Sequence, residues 1–112
     1  MKLLNQELKA KLRANWNKRV QDGVEHDYQP VVKIFNPLGN STWIFTELSD
    51  DEDTLFGLCD LGYPELGYAS LEELESYRGV WGLGLERDFG FTPNKTLSQY
   101  ADEARKEGRI VA

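Results

Sequence analysis

The chain has 112 residues, 40% of them apolar and 12% aromatic; that is enough to close one core and too little for two, so a wholly disordered chain is excluded and a single domain over residues 1–112 is expected. Its formal net charge is −6, and no apolar run approaches the roughly 20 residues needed to cross a bilayer. A cytoplasmic protein without signal peptide or membrane span is therefore expected. The lone cysteine, Cys59, excludes an internal disulfide and a cysteine-based zinc site.

Leu4, Leu8, Leu12 and Trp16 recur every fourth residue behind a potential N-cap, Asn5, which predicts an amphipathic helix from residue 5 to about residue 17. The polar stretch 21–27 has no period and reads as a loop. β-Branched and aromatic residues then predict strands over 31–35 and 42–48, joined by the turn-rich segment 36–41, and a third strand over 55–61. Residues 62–68, with Gly62, Pro64 and Gly67, read as a loop leading to Ser70 and Glu73, a capping-box pair that starts a short helix with Leu71, Leu74 and Tyr77 inward. Gly79 stands where a terminating glycine would sit. A strand over 85–91 and a helix over 97–107, opened by Thr96 and Gln99 and closed by Gly108, complete the order α-β-β-β-α-β-α. The expected class is α+β, with a mainly antiparallel sheet of about four strands carrying the N-terminal helix.

Charge is segregated along this order. Residues 1–19 hold Lys2, Lys9, Lys11, Arg13, Lys18 and Arg19 against the single acid Glu7. Residues 47–75 hold ten acids and no base, including Asp50, Asp51, Glu52, Asp53, Glu72 and Glu75. Such a field steers a charged partner or keeps a small protein in solution.

The run 65–75, followed by Arg78-Gly79, Gly82-Leu83 and Glu86-Arg87-Asp88, resembles the signature of the bacterial and phage family called domain of unknown function 2958. The opening Lys2-Leu3-Leu4 with Glu7-Leu8, the strand 43–47 and the run Leu55-Phe56-Gly57-Leu58 resemble it too, so the likeness spans nearly the whole chain. The resemblance implies no assigned activity. It implies a setting in phages, plasmids and other mobile elements, often beside anti-restriction genes. The polar loop 21–27 with His26 departs from the family pattern.

Each candidate chemistry has a plainer competitor. The run 50–53 offers carboxylates to a divalent cation but lacks the spaced acids, glycine and distal glutamate of a calcium loop, so it reads as a solvated hairpin tip. A Cys59–His26 nucleophile pair is disfavoured because Cys59 alternates within an apolar strand. Gly79, Gly82 and Gly84 follow a helix and precede a strand, the reverse of a phosphate-binding loop. Period-two alternation places Glu47 with Trp43 and Phe45, Arg87 with Leu85 and Phe89, and Lys33 with Val31 and Phe35. If those faces coincide, they make either a buried Glu47–Arg87 ion pair or a ligand face of Lys33, Trp43, Phe45, Glu47 and Arg87 edged by Trp81.

Basic residues and Trp16 on the first helix suggest nucleic acid, but the polyanionic middle repels phosphate and argues against direct binding. With no catalytic signature, metal ligand set or cofactor motif, the expectation is a non-enzymatic accessory protein of a mobile element. It would bind a host protein of basic surface, with Asp50, Asp51, Glu52, Asp53, Glu72 and Glu75 as an anionic decoy. The alternative is a small-ligand module or enzyme using the charged aromatic face.

Overall fold

A computed structural model describes residues 2–112. Helix α1 spans Gln6–Asp22. The Asn5 side chain accepts the Leu8 N–H at 2.8 Å, satisfying a donor that the first turn leaves free. Gly23 ends the helix in the left-handed region at φ 69°, where a side chain would be strained. The helix thus runs past the apolar stripe, because Lys18, Arg19 and Gln21 are good helix formers and nothing before Gly23 stops it.

Strands β1 (Val32–Phe35), β2 (Thr42–Leu48), β3 (Thr54–Asp60) and β4 (Pro64–Ser70) form an antiparallel meander, and β5 (Glu86–Arg87) adds antiparallel to the outer side of β1. The sheet order is β4-β3-β2-β1-β5. The class is α+β with an open antiparallel sheet, as the alternating patterns predict. The fifth strand is β4, in the segment that reads as a loop. Pro64 occupies its first position and Gly67 its middle, both unfavourable in a central strand but tolerated on an edge.

Helix α2 (Leu71–Ser76) buries Leu71 and Leu74 but ends two residues before the expected stop. Tyr77 is largely exposed, and Gly79, at φ −105°, does not close the helix. The strand expected over 85–91 is cut to two residues because the Asp88 side chain takes the Gly90 N–H at 2.9 Å and turns the chain away. Helix α3 (Leu97–Glu107) begins and ends where Thr96 and Gly108 predict. The Gln99 side chain accepts the Thr96 N–H at 2.9 Å, and Gly108 sits at φ 78°.

Two apolar layers lie on opposite sides of the sheet. Trp43, Phe45, Leu48 and Leu55 pack with Leu4 and Leu12 of the N-terminal arm and helix, Val32 and Ile34 of β1, and Leu71 and Leu74 of α2. Ile44 and Leu58 pack with Leu97, Tyr100, Ala101 and Ala104 of α3. Each fully buried Leu, Ile or Phe contributes about 1.5–3 kcal/mol, so both layers matter to stability. Strand β1 pairs only with residues 42–45 of β2. Helix α1 flanks the remainder, where Asn15 Nδ2 donates to the Thr46 carbonyl at 2.9 Å and Arg13 Nη1 to the Leu48 carbonyl at 3.2 Å. These side chains replace the ladder bonds that β1 is too short to make.

Candidate functional site

The register of β2 against β3 breaks at one residue. Phe45 lies opposite Gly57 and Glu47 opposite Phe56, so Thr46 is the extra residue of a β-bulge. A one-residue slip moves every later side chain to the other face. Glu47 therefore leaves the side of Trp43 and Phe45 and joins that of Phe56, Leu58 and α3. There it is only 3% exposed, and its Oε1 accepts from Arg19 Nε at 2.7 Å. Arg19 reaches it from the end of α1, its guanidinium carbon 4.5 Å above the Trp16 ring.

This bulge divides the expected ligand face. Trp43 and Phe45 are buried beneath α1. Ile34 pairs with both Trp43 and Arg87 across the sheet, so Arg87 lies on that first side, where Nη1 donates to the Leu3 carbonyl at 2.9 Å and the guanidinium stacks 4.4 Å from Phe89. Lys33 pairs with Ile44 and so lies on the opposite side; its Nζ donates to the Ala112 carbonyl at 2.7 Å and stands 3.5 Å from Asp88. Trp81 is 85% exposed in a 3₁₀ turn, Val80–Gly82, at φ 59°. Glu47 and Arg87 do not pair, and Lys33, Trp43, Phe45, Glu47, Trp81 and Arg87 do not make one groove.

What the bulge assembles instead is a cleft of about 370 Å³ on the α3 side. Arg19 and Glu47 form one wall, Leu97 and Ser98 at the start of α3 another, and Phe56, Leu66 and Tyr68 the floor. The Phe56 and Tyr68 rings lie 5.1 Å apart at 52°, a tilted contact favoured by aromatic quadrupoles. Glu25, His26 and Asp27 line the rim. Part of the polar loop 21–27 therefore belongs to this cleft.

That rim is held at several points. His26 Nε2 lies 3.1 Å from Asp22 Oδ2, and the His26 ring contacts Tyr28 at 5.4 Å. The Tyr28 hydroxyl donates to the Asn15 carbonyl at 3.1 Å. Burial, then the charges of Glu47 and Asp22, push the Tyr28 phenol above its ordinary pKa. Asp27 accepts the Ser98 N–H at 3.0 Å and the Ser98 hydroxyl, fastening the loop to α3. Partial burial works to raise the Asp27 pKa, but the Ser98 hydrogen bonds outweigh it and hold the carboxyl below its ordinary value.

A larger hollow of about 510 Å³ lies beside Asp60, Gly62 and Ile110. Asp60 is its buried charge, and its two oxygens already accept the Gly62 N–H at 2.9 Å and the Ile110 N–H at 3.1 Å. The other charged residue there, Arg109, is exposed, and no aromatic ring lines the hollow, so the aromatic cleft is the better candidate.

The acidic candidates divide by role. Asp51 accepts the Asp53 and Thr54 N–H groups at 2.8 Å each and the Thr54 hydroxyl at 2.6 Å, shaping the β2–β3 turn. The Thr54 hydroxyl, followed by the Thr54 and Asp53 N–H groups, lowers its pKa. Asp53 accepts the Ser70 hydroxyl and the Glu72 N–H at 2.8 Å each, capping α2 from the neighbouring turn. The Ser70 oxygen in turn accepts the Glu73 N–H at 3.2 Å. Glu52, at φ 62°, pairs with Arg13 at 2.8 Å, and Glu75 Oε2 accepts the Leu3 N–H at 2.8 Å. Asp50 accepts the Ser49 hydroxyl at 3.1 Å. Glu65, Glu72 and Glu73 have exposed carboxylates with no internal partner among the described residues. The stretch without a base is thus partly neutralised by α1, which the linear charge count does not reveal.

Cys59 and His26 are on opposite sides of the sheet, since Cys59 pairs with Trp43 while His26 lines the cleft. Burial, then the Glu65 charge, pushes the Cys59 thiol up to about 11, which removes the thiolate needed by a nucleophile. Among the described residues no group of His, Cys, Asp and Glu is arranged to hold a metal ion, and no helix is long and apolar enough to cross a membrane.

The architecture and cleft define a small α+β domain with a charged aromatic recess beside an open sheet edge. The chain belongs to the family described as Protein of unknown function (DUF2958), which matches residues 3–111. No curated protein and no solved structure matches it.

Proposed function

We propose that this protein is a non-enzymatic interaction module, an accessory protein of a mobile element that binds a host protein of basic surface through its own acidic one. The carrying observation is the outer strand β4, where Leu66 and Tyr68 are 44% and 62% exposed beside a cleft lined by three carboxylates and one guanidinium. Exposed apolar side chains on an open edge suit protein recognition, because unused backbone groups and side-chain contacts can be taken together. Glu65 on the same strand and Glu72 and Glu73 on α2 add exposed carboxylates on the other side of the sheet, beside the same outer strand.

This reading moves the expected anionic surface from the 50–53 tip to β4 and α2. Asp51 and Asp53 stabilise their own turn and helix, so their removal perturbs folding as well as charge. The test is co-purification from the native host with the parent and with a Glu65→Gln, Glu72→Gln, Glu73→Gln variant. A defined protein that stays with the parent at low salt, leaves as salt rises and binds the variant less supports the proposal. A partner whose capture ignores both changes contradicts it.

A second reading, a small-ligand module, is favoured by the cleft volume, which lies within the roughly 300–1,000 Å³ usual for small-molecule sites. Release of a stoichiometric metabolite from protein purified from the native host would favour that reading.

A further inference from the structure

We infer that the cleft between α1, α3 and the β3–β4 surface seats an arginine side chain of the partner protein. This rests on the interaction reading above and specifies what the partner presents. Glu47 is 3% exposed and lines the cavity; Oε1 is taken by Arg19, while Oε2 has no hydrogen bond among the described residues. Oε2 is not one of the enclosed atoms left without a partner, so it opens onto the cavity, where a second donor can take the place of water.

The surrounding charges select the guest's sign. Glu25, Asp27 and Glu47 face the space against the single cation Arg19, and His26 beside them is engaged with Asp22. The Asp27 oxygens are occupied by Ser98. This leaves Glu47 Oε2 and the exposed Glu25 as acceptors. An anion would meet an excess of carboxylates, whereas a cation meets complementary charge from the wall and the rim.

The floor selects guanidinium over ammonium. Phe56 and Tyr68 offer two tilted rings, and a planar guanidinium stacks on a ring while its edge donates toward a carboxylate. An ammonium is a strongly hydrated point charge that matches this combination poorly. The open side of the cleft lies along Leu66 and Tyr68, which are exposed on the outermost strand. A side chain projecting from a docked protein therefore has an unobstructed route inward.

Amide and aromatic NMR titration of the full chain with Nα-acetyl-arginine methylamide, and separately with its citrulline counterpart, tests the inference. The arginine probe should give saturable shifts at Leu66, Tyr68, His26 and Ser98, with the citrulline probe at least about tenfold weaker because it lacks the charge. Tyr68→Ser and Glu25→Gln alter exposed side chains and should each weaken the arginine probe about threefold or more while leaving the remaining spectrum in place. Absent shifts, shifts confined to residues 50–53, or equal binding of citrulline would overturn the inference. If a host protein is captured in a charge-dependent manner but arginine does not enter the cleft, the inference fails and the interaction reading stands. If arginine binds the cleft while no charge-dependent partner exists, the guanidinium preference of the cleft stands, but its assignment to a partner side chain falls with the interaction reading.

Discussion

Arg19 and Glu47 stand 28 positions apart and meet at 2.7 Å, with Glu47 nearly buried and Arg19 still one quarter exposed. That asymmetry sets the order of two substitutions. Arg19→Met leaves a buried carboxylate without its cation and should cost about 3 kcal/mol, whereas Glu47→Gln leaves a guanidinium that water can reach and should cost about 1 kcal/mol. Urea unfolding measures both, and the reverse order would contradict the assigned burial.

Gly57 and Gly67 face each other across β3 and β4, yet only one is constrained by contact. A Cβ on Gly57 would come within 2.0 Å of the Ile44 carbonyl oxygen and 2.7 Å of the Phe45 Cα, whereas one on Gly67 would meet nothing within 4 Å. Gly57→Ala should cost about 3 kcal/mol or prevent folding, because backbone must move beside the bulge. Gly67→Ala should change stability by less than about 1 kcal/mol. Equal effects in thermal unfolding would refute this account of the bulge.

Trp81 holds the left-handed conformation at φ 59° with its side chain 85% exposed. For an L-residue this conformation costs roughly 1–2 kcal/mol, and the exposed ring repays little through burial. Trp81→Gly should leave the fold intact and shift stability upward by about 1 kcal/mol, read as a rise in unfolding midpoint. A loss of that size would show that the ring supports the fold.

Cys59 should react slowly with iodoacetamide near neutral pH because its pKa is raised to about 11. The rate in the folded protein should climb about tenfold per pH unit between pH 8 and 10, following the thiolate fraction. A plateau near the ordinary thiol pKa of about 8.5 would contradict its burial in β3.

Asp27 links stability to pH in a definite direction. Its folded pKa is lowered, so its contribution is present above the unfolded carboxyl pKa and is lost as pH falls through the folded value. Asp27→Ala should therefore destabilise the protein at pH 7, with the difference from the parent shrinking as both are acidified below about pH 4. A difference that grows on acidification would give the wrong sign.

Much of the fold is legible because strong local patterns agree with it. The Leu4, Leu8, Leu12 spacing and Asn5 predict α1, while Thr96, Gln99 and Gly108 bracket α3. Strand β4 escapes local reading because Pro64 and Gly67 are permitted by its edge position, which the chain alone does not disclose. The cleft escapes for a different reason. Period-two alternation assigns Glu47 to the Trp43 side, and the bulge at Thr46 reverses it. Arg19 and Tyr68 then join Glu47 only through tertiary packing, so Glu47 is legible as a candidate while its neighbours in the cleft are not.

The most direct test of the interaction account is hydrogen exchange on the complex with the captured host protein. Binding through the proposed face should slow exchange in β4, across residues 64–70, and in the cleft rim, across residues 23–28, while exchange around Trp81 remains unchanged. Protection centred on Trp81 and the neighbouring loop, with β4 and the rim exchanging as in the free protein, would contradict it.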